Sequence, residues 1–492
     1  MSFLRKLGGL VLSSCVLGAC ASEIITDEPE VEVAAQSSEL LLLNCRDSVD
    51  SVYEKPRTLL PLELIPKGEL IRCAQGEAIS RSAMNTALGE ANFTGVNALN
   101  GVRIYRISYR TQRAGRGADV SSALVAIPDQ STSLLGSLLT GTKRPPVIVY
   151  AHGTGPYRQD CGYSRSKPLT ALFEGAPDLE LRTVLALASQ GSPVIMPDYA
   201  GYVAGSAAPG YIFSEDEAYS LLDATRAVRK LTDDASEQVV MVGHSQGGHG
   251  VLSAQSYARS YGLSGKLAGV VAYAPFWAPA RTFGFIISPD SGYVTSDPVG
   301  AYALNAAVEY FYTHAEVIDG KGAGQNILTF NIQDLIGTKG SECSFFPDIS
   351  PFGTVGTDLF KPEFAAVASC ALLGENCSDP TAVKWAARFA KDRPALDPAG
   401  APVLLWQGAL DAVVPNFIAG CGIDKLNQDF TSAPGKLKVC ADPAADHELI
   451  ENNNAAYVLQ WIKARTQGGA EPTQACGSPS ILDASCVVGN FD

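Results

Sequence analysis

A serine lies at the centre of the stretch GHSQG, residues 243–247, which directly follows an apolar run at residues 239–242. More small residues continue from Gly248, so the order predicts a buried strand, a sharp turn and a helix. Such a turn would lift the serine hydroxyl above the sheet, and flanking glycines would avoid collisions with the strand and the helix. The positive N-terminal end of the helix would favour an oxyanion beside the serine. We therefore predict that Ser245 is a nucleophile.

A serine hydroxyl needs a base to take its proton, and the chain contains five histidines. The order expected for a serine on such a turn is serine, acid, histidine. His152 precedes the serine, and His244 and His249 belong to the turn and to the helix that follows it. His314 lies in a region without predicted buried strands. His447, which follows the last predicted strand, is therefore the predicted base.

The acid that orients the histidine should follow the penultimate strand of the sheet. The apolar run at residues 402–406 is that strand, and Asp411 lies in the loop after it. Asp442 and Asp446 are the alternatives, although both share the loop of His447. We predict that Asp411 is the third member of the triad.

Two backbone N–H groups should stabilise the oxyanion of a tetrahedral intermediate. The N–H of Gln246, directly after the serine, is one predicted donor. The second should come from the glycine-rich stretch HGTG, residues 152–155, which follows the apolar run at 147–150. We expect the N–H of Thr154 to be this donor, with Gly153 as the alternative.

The surrounding sequence predicts a sheet that can position these residues. Residues 102–110 alternate between apolar and polar, and residues 118–127 form the expected antiparallel partner across Gly115 and Gly117. Short continuous apolar runs then follow, which is typical of parallel strands buried on both faces. These runs are at residues 147–150, 194–196, 239–242, 267–273, 403–405 and 437–439.

Helical sequences lie between the runs, and the clearest begins at Ser214. Ser214 and Glu217 have the spacing of a capping box, and one face carries apolar residues at helical intervals. Strands that alternate with helices after an antiparallel start predict an α/β fold, with a mostly parallel central sheet and helices on both faces.

Seven stretches extend the motifs in a fixed order: AHGTGPYRQDC, VIMPDYAGY, LLDATRAVRK, VGHSQGGHG, GVVAYAP, WQGALDAVVP and ADHELI. Together they resemble the α/β-hydrolase fold. More specifically, they resemble the secretory lipase family, whose members carry an Ala-His-Gly-Thr-type oxyanion loop, a Pro-Asp-Tyr strand end and a Gly-x-Ser-x-Gly elbow. The resemblance covers roughly residues 102–280 and 402–463.

The resemblance implies that Ser245, Asp411 and His447 form the catalytic triad. It also implies that Thr154 and Gln246 are the oxyanion donors. Since the oxyanion residue varies among such enzymes, the assignment of Thr154 depends on the structure.

The interval between Ser245 and Asp411 is longer than one strand and one helix require, which predicts an inserted cap over the site. The cap is rich in aromatic residues that could form an acyl-binding surface or simply the core of the cap. They are Phe276, Trp277, Phe283, Phe285, Tyr310, Phe311, Tyr312, Phe345 and Phe346. The predicted organisation is a signal peptide (1–19), an acidic tether (20–45), a hydrolase core in two parts (46–280 and 399–466), the cap (281–398) and a cysteine-containing tail (467–492).

The N-terminus resembles a bacterial lipoprotein signal. Arg5 and Lys6 precede an apolar run at residues 7–17, and LGAC follows at residues 17–20. The resemblance implies cleavage before Cys20 and lipidation of its thiol. LSSC at residues 12–15 would leave too short an apolar region, and a plain secretory signal or a single anchor helix is the alternative. We expect an exported lipoprotein of the cell envelope, in the outer membrane, or an extracellular protein.

An even number of further cysteines in an exported chain predicts disulfide bonds. We expect Cys421 to pair with Cys440 and Cys476 with Cys486, and cysteines 343, 370 and 377 to stabilise the cap. The remaining cysteines of this set are Cys45, Cys73 and Cys161. Metal binding is not favoured, because there is no Cys-x-x-Cys and no His-Glu-x-x-His.

The composition agrees with a folded enzyme that does not bind nucleic acid. Hydrophobic residues make up 46% of the 492 residues, which permits a large core, and the net charge of -14 offers no cationic surface for phosphates. We predict a serine hydrolase that cleaves small-molecule or lipid carboxylic esters and needs neither metal nor cofactor. A lipid anchor would hold it at a membrane. The alternatives are a peptidase on the same fold and an inactive hydrolase fold that serves as a surface binding protein.

Overall fold

The computed structural model describes residues 45–90, 92–93, 95–129, 143–166, 179–277, 279–338, 343, 347–373 and 378–481. The predicted signal peptide, Cys20 and nearly all of the predicted tether lie outside these residues. So do Phe345 and Phe346 of the predicted cap, and Cys377 and Cys486.

A nine-stranded sheet runs through the described part of the chain, with the strand order β1-β2-β3-β5-β4-β6-β7-β8-β9. The first strands pair antiparallel as far as the β3–β5 pair, and every later pair is parallel. The strands are β1 (Leu70–Ile79), β2 (Val102–Arg113), β3 (Gly117–Pro128), β4 (Val147–Ala151), β5 (Val194–Ala200), β6 (Gln238–His244), β7 (Lys266–Tyr273), β8 (Val403–Gly408) and β9 (Leu437–Asp442). The predicted hairpin and all six predicted apolar strands are therefore confirmed.

The continuous apolar runs form strands because both of their faces are covered. All residues of β4, β5 and β8 are buried. One set of their side chains packs in a hydrophobic cluster on one side of the sheet and the alternate set packs in a second cluster on the other side. The sheet is thus covered on both faces, as the sequence predicts.

Strand β1 was not predicted from the sequence. Arg72 and the stretch QGE, residues 75–77, interrupt its apolar residues, so no clear alternation marks it. It pairs with β2 through a ladder with two irregularities, and the disulfide Cys45–Cys73 joins it to the segment before it.

Helices cover both faces of the sheet, and the loops that precede them carry several site residues. Those outside the β7–β8 interval are α1 (Val49–Val52), α2 (Arg81–Glu90), α3 (Leu179–Ser189), α4 (Ser214–Val228), α5 (Gln246–Tyr261), α13 (Asn416–Asp429) and α14 (Leu449–Gln467).

A group of helices occupies the interval between β7 and β8, where the cap is predicted. They are α6 (Pro279–Ile286), α7 (Pro298–Ile318), α8 (Ala323–Ile327), α9 (Ile332–Ile336), α10 (Gly356–Leu359), α11 (Pro362–Leu373) and α12 (Pro380–Asp392). The sheet resumes after them in parallel register, with Val270 opposite Val403. Phe311 packs against Phe360, Phe364 and other aromatic rings of these helices, so part of the predicted aromatic set forms their core.

The predicted capping box of α4 is wrong. Phe213 is the N-cap residue, and Ser214 already belongs to the helix. The Glu217 side chain accepts hydrogen bonds from Gln246 and contacts His249 instead of closing the helix end. The Glu217 side chain therefore makes tertiary contacts with α5 instead of the local helix cap that the spacing predicts.

The two predicted disulfide pairings are also wrong. Cys440 pairs with Cys476, which excludes the pairs of Cys421 with Cys440 and of Cys476 with Cys486. The reason is that the C-terminal segment returns to the last strand, where Gly477 bridges Ala441. Cys161 pairs with Cys343, a bond that the spacing did not indicate. Cys370 and Cys421 are disulfide-bonded as well.

Candidate active site

Ser245 lies between β6 and α5 in a backbone conformation that side chains rarely adopt, with φ 54° and ψ -117°. Small neighbours make this turn possible. A Cβ atom on Gly243 would lie 2.2 Å from the carbonyl oxygen of Gly247, and one on Gly247 would lie 1.9 Å from that of Ala151. The strand, turn and helix that the sequence predicts around Ser245 are therefore present.

Asp411 and His447 are brought together at the carboxyl ends of β8 and β9. Nδ1 of His447 lies 2.8 Å from Oδ2 of Asp411, and both side chains are buried. Oδ1 of Asp411 accepts hydrogen bonds from the N–H groups of Val413 (2.9 Å) and Val414 (2.8 Å), while the Gln407 amide donates to Oδ2 at 3.2 Å. These donors hold the carboxylate toward the imidazole.

The alternative acids have other partners. Asp442 accepts hydrogen bonds from the N–H of Ala444 and from the Asn454 amide. Asp446 accepts hydrogen bonds from the N–H groups of Glu448 and Leu449, just before α14. Both carboxylates stabilise the loop around His447 rather than its ring.

The predicted oxyanion loop lies directly beside Ser245. A Cβ atom on Gly153 would be 3.4 Å from Cβ of Ser245. The N–H of Gly153 donates to Oε1 of Glu180 at 2.7 Å, so this alternative donor is already engaged. The Thr154 hydroxyl pairs with the hydroxyl of Tyr211 at 3.0 Å. The two candidates are thus held differently, Gly153 through its backbone N–H and Thr154 through its side chain.

Gln246 begins α5, and its side chain ties this helix to α4. The Gln246 amide donates to Oε1 of Glu217 at 2.9 Å, and Oε2 of Glu217 lies 2.6 Å from Nδ1 of His249. Nε2 of His249 in turn lies 2.6 Å from the carbonyl oxygen of Asp392 on α12. Burial opposes the charged form of His249, but the Glu217 carboxylate outweighs it and raises the pKa of His249. The helix after the nucleophile is thus linked to the helices of the β7–β8 interval.

Helix α7 also contacts the oxyanion loop and the residues after it. The Tyr157 hydroxyl donates to the carbonyl oxygen of Asn305, and Tyr302 hydrogen-bonds the Thr154 side chain. Glu309, one turn beyond Asn305, is 4% exposed, and burial raises its pKa to about 8. This face of α7 therefore packs against the oxyanion loop and the residues that follow it.

Sequence reasoning missed Glu180 and did not assign a role to His244. Nδ1 of His244 lies 3.3 Å from Oε1 of Glu180, and Nε2 lies 2.8 Å from the carbonyl oxygen of His447. Nothing in the sequence around Glu180 indicates this contact, because α3 meets β4 and β6 only in the folded chain.

The described residues contain no group of three or more histidine, cysteine, aspartate or glutamate side chains that could hold a metal ion. In the same part of the chain, none of the helices combines the length and the apolar character needed to cross a membrane.

The sequence matches the model of the secretory lipase family over residues 171–278, a segment that includes α3, α4, the Ser245 turn and β7. The resemblance to this family is thereby confirmed for that segment. No curated protein matches the chain.

Solved structures support the fold over most of the chain. Lipase A from Candida antarctica in its closed state shares 19% identity at a TM-score of 0.56, covering 91% of each chain. The rice cell wall degrading esterase LipA from Xanthomonas oryzae shares 19% identity at a TM-score of 0.54, covering 82% of this chain and 97% of the esterase. A candidate hydrolase from Legionella pneumophila shares 18% identity at a TM-score of 0.60, covering 82% of this chain and all of that one.

These likenesses, together with the sheet order and the Ser245 turn, confirm the predicted α/β-hydrolase fold. The family match also supports the predicted class of enzyme, a carboxylic ester hydrolase.

Proposed function

We propose that this α/β-hydrolase-fold protein hydrolyses carboxylic esters through Ser245, His447 and Asp411. The observation that carries the proposal is the buried Asp411–His447 pair, in which Nδ1 of His447 lies 2.8 Å from Oδ2 of Asp411. The pair follows the carboxyl ends of β8 and β9, and the Ser245 turn follows the carboxyl end of β6 in the same sheet. The carbonyl oxygen of His447 is bonded to His244, the residue before Ser245, so the base loop and the nucleophile turn are in direct contact.

The arrangement supports a two-step acyl transfer. Nε2 of His447 would take the proton of the Ser245 hydroxyl as the oxygen attacks the ester carbonyl, and would then protonate the leaving alcohol. Asp411 would keep the proton of His447 on Nδ1 and stabilise the imidazolium. Water, activated by the same histidine, would release the acid and regenerate the serine.

Backbone N–H groups would stabilise the negative charge on the tetrahedral intermediate. Gln246 N–H at the start of α5 and Thr154 N–H in the oxyanion loop are the proposed donors. The engagement of Gly153 N–H by Glu180 supports Thr154 over Gly153.

Hydrolysis of a series of p-nitrophenyl esters from short to long acyl chains tests the proposal on the full, oxidised protein. We expect activity in the wild type and its loss in both Ser245→Ala and His447→Ala. A folded wild type that cleaves peptides but no ester would replace the proposal with a peptidase. A wild type inactive on both would favour a binding protein.

We also propose that the chain is an exported protein held at a membrane through a lipid on Cys20. The disulfides and the secretory lipase match support export. Expressed in a bacterium that processes lipoproteins, the wild type should partition with membranes and Cys20→Ser should be released. Equal partitioning of the two proteins would contradict the anchor.

A further inference from the structure

Glu180 joins two parts of the site that are distant in the sequence. It lies in the first turn of α3 and is 8% exposed. Its Oε1 accepts a hydrogen bond from Gly153 N–H at 2.7 Å and lies 3.3 Å from Nδ1 of His244. One carboxylate oxygen therefore holds both the oxyanion loop and the residue that precedes the nucleophile.

His244 extends this link to the base. Its Nε2 lies 2.8 Å from the carbonyl oxygen of His447, and the two imidazole rings are 4.6 Å apart. A carbonyl oxygen only accepts, so Nε2 must carry a proton. Nδ1 faces Oε1 of Glu180, the same oxygen that accepts the Gly153 N–H. His244 therefore bridges the Glu180 carboxylate and the His447 carbonyl group.

We propose that Glu180 and His244 are positioning residues, which together hold the oxyanion loop and the His447 base in place relative to Ser245. This inference rests on the proposed function and deepens it. Glu180 and His244 would not contact the reacting atoms of the substrate or of Ser245. The pair acts through the Gly153 peptide on one side and the His447 carbonyl group on the other.

The packing at Gly153 explains why such a pair would affect the rate. A Cβ atom at this position would lie 2.6 Å from Oε1 of Glu180, so the loop is in close contact with the carboxylate. If the carboxylate no longer accepts the Gly153 N–H, the adjacent Thr154 N–H is free to move. Displacement of a catalytic group by about 1 Å can cost about 100-fold in rate.

Two substitutions of Glu180 separate its hydrogen bond from its charge. Glu180→Gln keeps an acceptor for Gly153 N–H but removes the charge, whereas Glu180→Met removes both. For a p-nitrophenyl ester that the wild type cleaves, we expect kcat to fall about 10-fold in Glu180→Gln and about 100-fold in Glu180→Met. KM should change less than about threefold, since the substrate does not contact Glu180.

Glu215→Gln is the matched control, because Glu215 is 7% exposed and pairs with Arg388 of α12 rather than with the oxyanion loop. Its kcat should stay near that of the wild type even if its melting temperature falls. His244→Gln, alone and combined with Glu180→Gln, completes the set. If the two residues act as one unit, the double variant should lose little more than the worse single variant.

The outcomes separate this inference from the proposed function. Wild-type kcat in folded Glu180→Gln and His244→Gln, with Ser245→Ala inactive, would overturn the positioning role and leave the triad intact. An equal kcat loss in Glu215→Gln would also overturn it, because general destabilisation would then explain the effect. An inactive wild type would refute the proposed function itself.

Discussion

At the scale of single residues, one carboxylate is placed to fix the tautomer of one imidazole. Oδ1 of Asp411 accepts hydrogen bonds from two backbone N–H groups, while Oδ2 contacts His447 and the Gln407 amide. In the proposed mechanism, a proton would thereby be kept on Nδ1 of His447, and Nε2 would be left to receive the proton of Ser245.

Asp411→Asn should therefore lower kcat by about 10³-fold or more with a small change in KM, because an amide N–H facing Nδ1 would favour the wrong tautomer. Steady-state kinetics on a p-nitrophenyl ester measures this. Asp442→Asn is the control, since Asp442 bonds to Ala444 and Asn454 and not to the His447 ring. A greater loss in Asp442→Asn than in Asp411→Asn would transfer the acid role to Asp442.

The candidate triad could be selected from the sequence because its members occur at predictable points of a known strand order. Glu180 could not, since a lone glutamate in a helix carries no signal of its distant partners. The same limit applies to Glu217. Its spacing from Ser214 predicted a helix cap, whereas its carboxylate accepts a hydrogen bond from Gln246 and contacts His249.

At the scale of elements, the strand–turn–helix around Ser245 requires close backbone contacts. Gly247→Ala would place a methyl group 1.9 Å from the carbonyl oxygen of Ala151 at the end of β4. We expect a loss of about 2–3 kcal/mol in the free energy of unfolding, or failure to fold, together with loss of activity.

Gly89→Ala is the contrasting variant, because Gly89 lies in α2 with no atom within 4 Å of its added methyl group. It should stabilise the protein by roughly 0.5 kcal/mol. Denaturant unfolding without reductant measures both changes. A Gly247→Ala protein as stable and active as the wild type would show that the turn is looser than described.

The strands were predictable where burial on both faces demands an unbroken apolar run, as in β4 and β8. Strand β1 was not, because an edge strand held by one ladder and a disulfide does not need such a run. Helix α4 was predictable from its buried apolar face, whereas its N-terminal side chains were not, since their contacts come from α5.

At the scale of the whole molecule, buried acids link stability to pH. Burial raises the pKa of Glu309 from 4.5 to about 8. An acid whose pKa is higher in the folded state holds its proton more tightly there. Its contribution to stability is therefore complete below pH 4.5 and is lost as the pH rises toward 8.

Glu309→Gln should remove this dependence, since the amide resembles the protonated acid and does not ionise. The stability of the variant relative to the wild type should rise by about 2.5 kcal/mol between pH 5.5 and pH 7.5, at slightly less than the full slope of about 1.4 kcal/mol per pH unit. Urea unfolding at several pH values measures the difference, with the exposed Glu363→Gln as the control. A stability difference that is constant with pH would contradict the buried state of Glu309.

The disulfide connectivity was the least predictable feature at this scale. The bond between Cys440 and Cys476 depends on the return of the C-terminal segment to β9, and the bond between Cys161 and Cys343 joins the region of the oxyanion loop to the β7–β8 interval. Neither contact is encoded in local spacing, since cysteine positions alone allow many pairings.

Whether Ser245 is an activated nucleophile can be measured with a fluorophosphonate probe. The serine oxygen would displace fluoride and form a stable phosphonyl ester, which peptide mass spectrometry locates. We predict a single modification on the peptide that contains Ser245, no modification in Ser245→Ala, and a much slower reaction in His447→Ala. A folded wild type that stays unmodified, or one modified at another serine, would contradict the account.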